Sequence, residues 1–378
     1  MVRHNIPKRL GWEEKLAQQG FFYHTQQGQT YWDESVYYSF SLEQIGVLEN
    51  ATNTLYGMCL NAVQYVIDKH LFYQLKIPAM FVPMIIKSWE REDASLYGRF
   101  DLSWNGNLKV APKLLEFNAD TPTSLFEASI IQWHWLQDQD ATMDQFNALH
   151  ERIIDLFQWL KPQLKAQVLY FSSITDSTED YTTTEYLKDC AMQAGITTAF
   201  IDVTAIGWDG KQFVDLNDKP ILHIFKLYPW EWLMHEPFAA HLLTSFTQWY
   251  EPSWKLILQS KGILAMLWEL FPHHPLLLEA HCDSPHDMQD YIQKPFFSRE
   301  GANVSIFNNN QLRHKTLGDY GEEGFVYQAL AMLPCFNGNY PLIGSWIIGT
   351  HAAGIGIRES DTPITDNSSR FVPHAVRG

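Results

Sequence analysis

Several features are scarce or missing, and each absence removes a class of function. The 378 residues contain four cysteines, Cys59, Cys190, Cys282 and Cys335. They lie far apart and form no CxxC pair. Neither a secreted disulfide framework nor a zinc knuckle is expected, and a reducing cytoplasm fits better. Basic residues are outnumbered: 27 Lys and Arg face 43 Asp and Glu, a net charge of −16. Duplex binding rests on Lys and Arg neutralising phosphates, so nucleic acid is not expected as a partner; a local basic pocket stays open. No apolar run is long enough to span a bilayer, since the stretch 342–357 is broken by Ser345, Thr350 and His351. No apolar segment follows the basic N-terminal residues, so no signal peptide is expected. There is no internal repeat and no GxGxxG, so a dinucleotide site is not supported.

Aromatic residues are plentiful at 14%, with 14 Trp. That composition excludes wholesale disorder. The length corresponds to about two or three domains and supports a core without disulfides or a structural metal.

The apolar pattern divides the chain into segments at 1–150, 151–230 and 231–378. Residues 12–20 read as a short charged helix and 41–76 as a long one. Alternation from Tyr97 to Ser103, followed by Asn105-Gly106-Asn107, predicts a hairpin whose return run opens at Leu108; 114–118 reads as a further strand. A helix is expected over 124–137. Strands at 167–172, 197–203 and 221–227, with a helix at 179–194, form a βαβ-like block of the Rossmann type. After 231 the chain reads as helical, most clearly over 254–271, and then as α+β. The later β runs are expected to share a core with the hairpin near residue 100.

Several residues have chemistry worth weighing. His235 and His241 are six apart with Pro237 between them. A zinc-protease helix needs spacing four, so they read as packing or surface histidines. Asp101 lies on one predicted strand, and Glu116 and Asn118 lie two apart on another. Period two puts Glu116 and Asn118 on one face. Two carboxylates and an amide oxygen are hard ligands suited to Mg²⁺, although such residues also read as solvent-facing. Arg99 shares the face of Asp101 and suits a phosphate or carboxylate, or a surface ion pair. The segment 294–304 reads as strand, small-residue loop and strand, either a phosphate-covering loop or an ordinary hairpin. Gly354 and Gly356 alternate before Arg358, which suggests a strand that something approaches closely. Arg358 either stabilises transferring phosphoryl charge or is simply exposed.

Together these segments resemble the synthetase domain of the glutathionylspermidine and trypanothione synthetases. The stretches that carry the resemblance are Arg99-Phe100-Asp101, 115–124, Glu251-Pro252-Ser253-Trp254-Lys255, Lys294-Pro295 with 299–303, Gly338-Asn339-Tyr340-Pro341 through 354–359, and the ending 368–374. The resemblance implies an α/β (α+β) ATP-grasp-like fold with a Rossmann-like pre-ATP-grasp subdomain. It implies ligation of a carboxylate to an amine through an acyl phosphate, with ATP and Mg²⁺. By motif, Asp101, Glu116 and Asn118 match metal ligands, and Arg99 and Arg358 match the pair on acyl-phosphate charge. Lys261 and Lys294 match lysines on ATP phosphates, Glu300, Gly301 and Ala302 the glycine loop, and Gln328 the adenine pocket. Thr121, Thr123, Trp230 and Glu231 match the acid-substrate side, and Glu179 and Asp180 the amine side. The resemblance also implies a small-molecule or short-peptide acid and an amine as partners, and no membrane. The bifunctional relatives carry an amidase domain with a Cys nucleophile, and no Cys/His pair of that kind is apparent here. The competing readings are a catalytically silent nucleotide- or peptide-binding protein and a metal hydrolase using His235 and His241.

Overall fold

The computed structural model describes residues 1–26, 28–165, 167–365 and 368–377. Its core is built on two large sheets joined by buried polar ties. The first has five antiparallel strands in spatial order Arg370–Val372, His351–Ser360, Tyr340–Ile348, Tyr97–Ser103, Lys113–Asn118. It unites the 97–103 strand with the C-terminal strands, as the apolar pattern predicts. One face is covered by the long helix Leu42–Lys69, which buries Leu48, Leu55, Cys59, Ala62, Val63 and Val66. That helix starts with a capping box: Ser41 accepts from the Gln44 amide, and the Gln44 side chain accepts from the Ser41 amide.

The return strand of the hairpin begins at Lys113, not at Leu108. The Asn105 and Asn107 side chains accept from the amides of Asn107 and Lys109, and Trp104 Nε1 donates to Val110 O at 2.7 Å. Self-bonded Asn side chains hold a wider loop, because they offer the backbone an alternative to the ladder. The 114–118 run is therefore the return strand itself, not a separate one.

The second sheet is parallel, in order Gln248–Tyr250, His223–Leu227, Leu169–Ser173, Thr198–Asp202. Helix Thr178–Gln193 crosses between the 169–173 and 198–202 strands, which makes the βαβ unit expected from the sequence. Strand Gln248–Tyr250 is an addition from the segment after 230. A third sheet, in order Ala280–His281, Phe325–Ala329, Tyr291–Pro295, Ser305–Asn308, Gln311–Lys315, is antiparallel. The predicted 254–271 helix is interrupted. Helix Leu256–Gln259 ends at Ser260, and helix Ile263–Leu270 starts three residues later. The predicted 124–137 helix is α-helical at Leu125 and Phe126, then passes through a π-type turn, Glu127–Ile131, into the α-helix Gln132–Asp140. Among the described residues, no helix is long and apolar enough to cross a membrane.

Two fully buried ion pairs tie the parallel sheet to the first sheet. Lys226 Nζ donates to Asp120 Oδ1 at 2.7 Å, and the Trp230 amide donates to Asp120 Oδ2 at 2.8 Å. Glu251 accepts from the amides of Leu96 and Tyr97 and from Lys255 Nζ, which also donates to Tyr97 O. Burying charges is tolerated only with this degree of pairing.

Candidate active site

A cavity of about 460 Å³ opens where the three sheets meet. Its walls carry Arg99, Lys261, Lys294, Arg299 and Arg358 together with Asp101, Glu116, Glu179, Asp180 and Glu300. The charge deficit of the whole chain is thus balanced locally.

The floor is the first sheet. Asp101 pairs across the ladder with Glu116, and Arg99 with Asn118, so all four project from one face. A bulge between Asp101 and Leu102 leaves Leu115 without a cross-strand partner. Its carbonyl accepts from Lys294 Nζ at 2.9 Å instead. Bulges re-aim groups in this way near binding sites. Asp101 sits between two guanidinium groups. Arg99 Nε donates to Oδ1 at 2.8 Å and Arg358 donates to Oδ2 at 2.7 Å. Arg358 lies two strands away, and what lets the side chains meet is Gly344 on the strand between. A Cβ at Gly344 would lie 2.8 Å from Arg99 Cδ. The close approach expected at Gly354 and Gly356 is also present: a Cβ on Gly354 would meet Phe146 O at 2.9 Å, and one on Gly356 the Phe371 ring at 2.9 Å.

Lys261 stands at the break between the two short helices and donates to Glu116 Oε2 at 2.9 Å. Burial works to raise the Glu116 carboxyl, but Lys261, Lys294 and Arg358 outweigh it and hold the group well below the usual carboxylate range. Lys294 is pushed down to about 8, chiefly by burial, with Glu116 opposing the shift. Its ammonium also donates to Gln328 Oε1 at 2.9 Å, and Gln328 Nε2 donates to Leu114 O at 3.0 Å. Gln328 therefore lines the cavity with both ends of its amide engaged.

The loop after Arg299 forms the roof. Glu300, Gly301 and Asn303 have left-handed φ values of 55°, 67° and 52°. Gly301 is required there, because a Cβ would lie 2.5 Å from Thr365 O. Arg299 itself, absent from the residues singled out by sequence, donates to Thr121 Oγ1 at 2.7 Å and approaches Glu231 at 3.9 Å. The only signal for it was its place beside Glu300-Gly301. Thr123 holds Arg99 through its carbonyl at 2.8 Å.

Of the residues singled out by sequence, Arg99, Asp101, Glu116, Asn118, Thr121, Thr123, Glu179, Asp180, Lys261, Lys294, Glu300, Gly301, Ala302, Gln328 and Arg358 line this cavity. Trp230 does not. It is fully buried, donates from Nε1 to Glu251 O, and borders a separate 290 Å³ cavity. Trp232 faces the main cavity instead. The helix Trp230–Leu233 is a single turn, and residues two apart on it point about 200° apart. Glu231 lies behind Arg299, 6% exposed, with its carboxyl raised by burial. His235 and His241 are not together at any site: His235 Nδ1 bonds Glu231 O and His241 stacks on Trp208. One group with metal-ligand chemistry does lie outside the cavity, the surface trio His281, Asp283 and His286.

The donor set Asp101, Glu116 and Asn118 is all oxygen and lies on one face, which fits a hard divalent cation. The cations around it fit a polyphosphate. Residues 3–377 match the family described as "Glutathionylspermidine synthase preATP-grasp". The chain belongs to this family. It is 40% identical over 388 residues to the "Putative acid--amine ligase" of Haemophilus influenzae, covering 98% of each chain. It is 27% identical to the trypanothione synthetase of Crithidia fasciculata and 26% identical to the bifunctional glutathionylspermidine synthetase/amidase of Escherichia coli. Those matches cover 83% and 90% of this chain but only 52% and 59% of the relatives. The fold is also that of a glutathione synthetase-like effector from Globodera pallida, with a TM-score of 0.58 at 10% identity, covering 97% of this chain and 95% of that one. The ATP-grasp-like architecture with a Rossmann-like pre-ATP-grasp part, expected from the resemblance, is the fold of this family member.

Proposed function

We propose that this chain is an ATP-dependent acid–amine ligase that forms an amide bond through an acyl phosphate. One observation carries the reading: Asp101, Glu116 and Asn118 share a face with Arg99 and Arg358, and Lys261 and Lys294 reach the same face from two other elements. A carboxylate and an ammonium do not condense in neutral water, so the acid must be activated. The γ-phosphoryl group of ATP passes to the acid carboxylate, ADP leaves, and the amine attacks the acyl carbon and expels phosphate.

Each residue has a part in this reading. Asp101, Glu116 and Asn118 would hold Mg²⁺, which when bound neutralises phosphate oxygens. Lys261 and Lys294 bind the phosphates, and the 299–303 loop covers them and excludes water. Arg99 and Arg358 exchange Asp101 for the transferring phosphoryl group, whose charge they are positioned to stabilise. Thr121, Thr123 and Arg299 orient the acid. Glu179 and Asp180, at the start of helix Thr178–Gln193, hold a cationic amine. Holding both reactants supplies rate through proximity. Glutathione or another short peptide as the acid, and a polyamine or other amino compound as the amine, suit the charge of the cavity, whose wall carries Arg299 as well as Glu179 and Asp180.

The test is an ADP-release screen crossing acids with amines, with Mg²⁺ present or chelated and products read by mass spectrometry. Hydroxylamine as the amine traps the activated acid as a hydroxamate. Metal-dependent ADP release that needs both an acid and an amine is expected. Nucleotide-induced thermal stabilisation without turnover for every pair would instead identify a silent binding protein.

A further inference from the structure

Behind Glu179, away from the phosphate end, lies a second carboxylate that the ligation chemistry above does not use. Glu127, on the π-type turn, is 0% exposed. Its Oε1 accepts from Tyr31 at 2.7 Å and from Tyr23 at 2.9 Å, and its buried Oε2 has no partner among the described residues. The Tyr31 hydroxyl also lies 3.4 Å from Glu179 Oε1, and Ser124 Oγ bridges the same two groups at 3.3 Å to each. Glu179 lines the cavity, whereas Glu127 does not. Cavity, cavity carboxylate, hydroxyl and interior carboxylate thus form one line.

We propose that Tyr31 and Glu127 are the inner end of a proton path that draws the proton from the attacking ammonium through Glu179. This rests on the ligase reading. An ammonium has no lone pair, so it must lose one proton before it attacks. Its N–H bond breaks and the proton forms an O–H bond on Glu179. Glu179 passes a proton to the Tyr31 oxygen as Tyr31 passes its own to Glu127 Oε1. The neutral amine then attacks the acyl phosphate, and its second proton leaves with the phosphate. No electrons change hands and no co-reactant is needed.

The surroundings suit a proton store. The charged or titratable groups that bear most strongly on Glu127 are Glu179, Tyr31 and Tyr23. Burial first, then the Glu179 charge, raises Glu127 to about 7. Glu179, by contrast, is felt by Arg99 and Arg358 from the floor. Glu127 is a positioning residue, since it acts through Glu179.

Two measurements test the path. Infrared spectra of the protein alone, across neutral pH, should contain a protonated-carboxyl band that titrates near neutrality and is absent in Glu127→Gln. Its absence in the wild type overturns the path whatever the substrates are. In the ligation assay, Glu127→Gln and Tyr31→Phe should each lower kcat/KM for alkylamines by ~100-fold or more, the low end for a positioned base, and remove the acid limb of the pH profile. Hydroxylamine is already neutral near pH 7, so hydroxamate formation should be nearly unchanged in both variants. Equal loss with both amines makes the cluster merely structural and overturns the proposal. A wild type that releases no ADP with any pair overturns the ligase reading instead, and the path's role with it.

Discussion

The ion pair between Asp120 and Lys226 gives a sharp test of how the site is held. Both side chains are 0% exposed, and Asp120 immediately precedes the Thr121 that Arg299 grips. In Asp120→Asn the shape is kept, and the amide oxygen can still accept from the Trp230 amide. The other position becomes an NH₂ group that points donors at the Lys226 ammonium. Breaking one side of a buried pair costs about 3–5 kcal/mol, because a charge is left without compensation. At about 2.1 cal/mol/K per residue over 378 residues, that corresponds to a drop in Tm of about 4–6 °C. The sign of the pH dependence is fixed. Burial already lowers Lys226, and losing Asp120 removes the group that most opposes that shift. The folded variant then binds fewer protons than the unfolded chain, so its stability rises with pH by up to about 1.4 kcal/mol per unit until the unfolded lysine titrates near 10.4. The defect should therefore be largest at neutral pH and shrink toward pH 10. Asp120→Asn combined with Lys226→Met should recover much of the loss. Calorimetric melts from pH 6 to 10 measure this. A Tm change under about 1 °C, or one that grows with pH, would refute the claim that this pair holds the loop that carries Thr121.

Other expectations follow from the floor and roof of the cavity. Arg358→Ala should cut kcat by about 10²–10³, the range for removing one donor to transition-state charge, while nucleotide-induced thermal stabilisation is largely kept. Gly344→Ala puts a methyl 2.8 Å from Arg99 Cδ. It should cost up to about 10²-fold in kcat, the size expected when a catalytic group is misplaced by an ångström, with little change in the nucleotide-free far-UV spectrum. Burial sets Lys294 at about 8. Its positive charge is lost as pH rises through that value, so kcat/KM for ATP should fall on the alkaline side there, and Lys294→Met should abolish that limb.

The sequence made the strands of the floor legible because period two is visible in seven residues. Asp101, Glu116 and Asn118 share a face for that reason, and the ladder register places them together. The predicted hairpin failed at its turn, where Asn105 and Asn107 bond their own backbone and no apolar pattern marks the event. Trp230 and Trp232 were not separable, because a four-residue helix is too short to display a face.

What the sequence withheld is mostly a matter of distance along the chain. Asp120 and Lys226 are 106 positions apart, and neither has a local pattern that announces the other. The same holds for Arg99 and Arg358, which meet at Asp101 only because Gly344 lies between them. Gly344 belongs to no glycine motif, so its role appears only when the three strands are paired. Glu127 shares this trait. On a helix-like run it reads as an ordinary polar position, yet the fold seals it under Tyr23 and Tyr31 and leaves one oxygen bare. A buried carboxylate oxygen without a hydrogen bond costs free energy in every folded molecule. On the proposed proton path, that cost falls one hydroxyl away from Glu179 on the cavity wall.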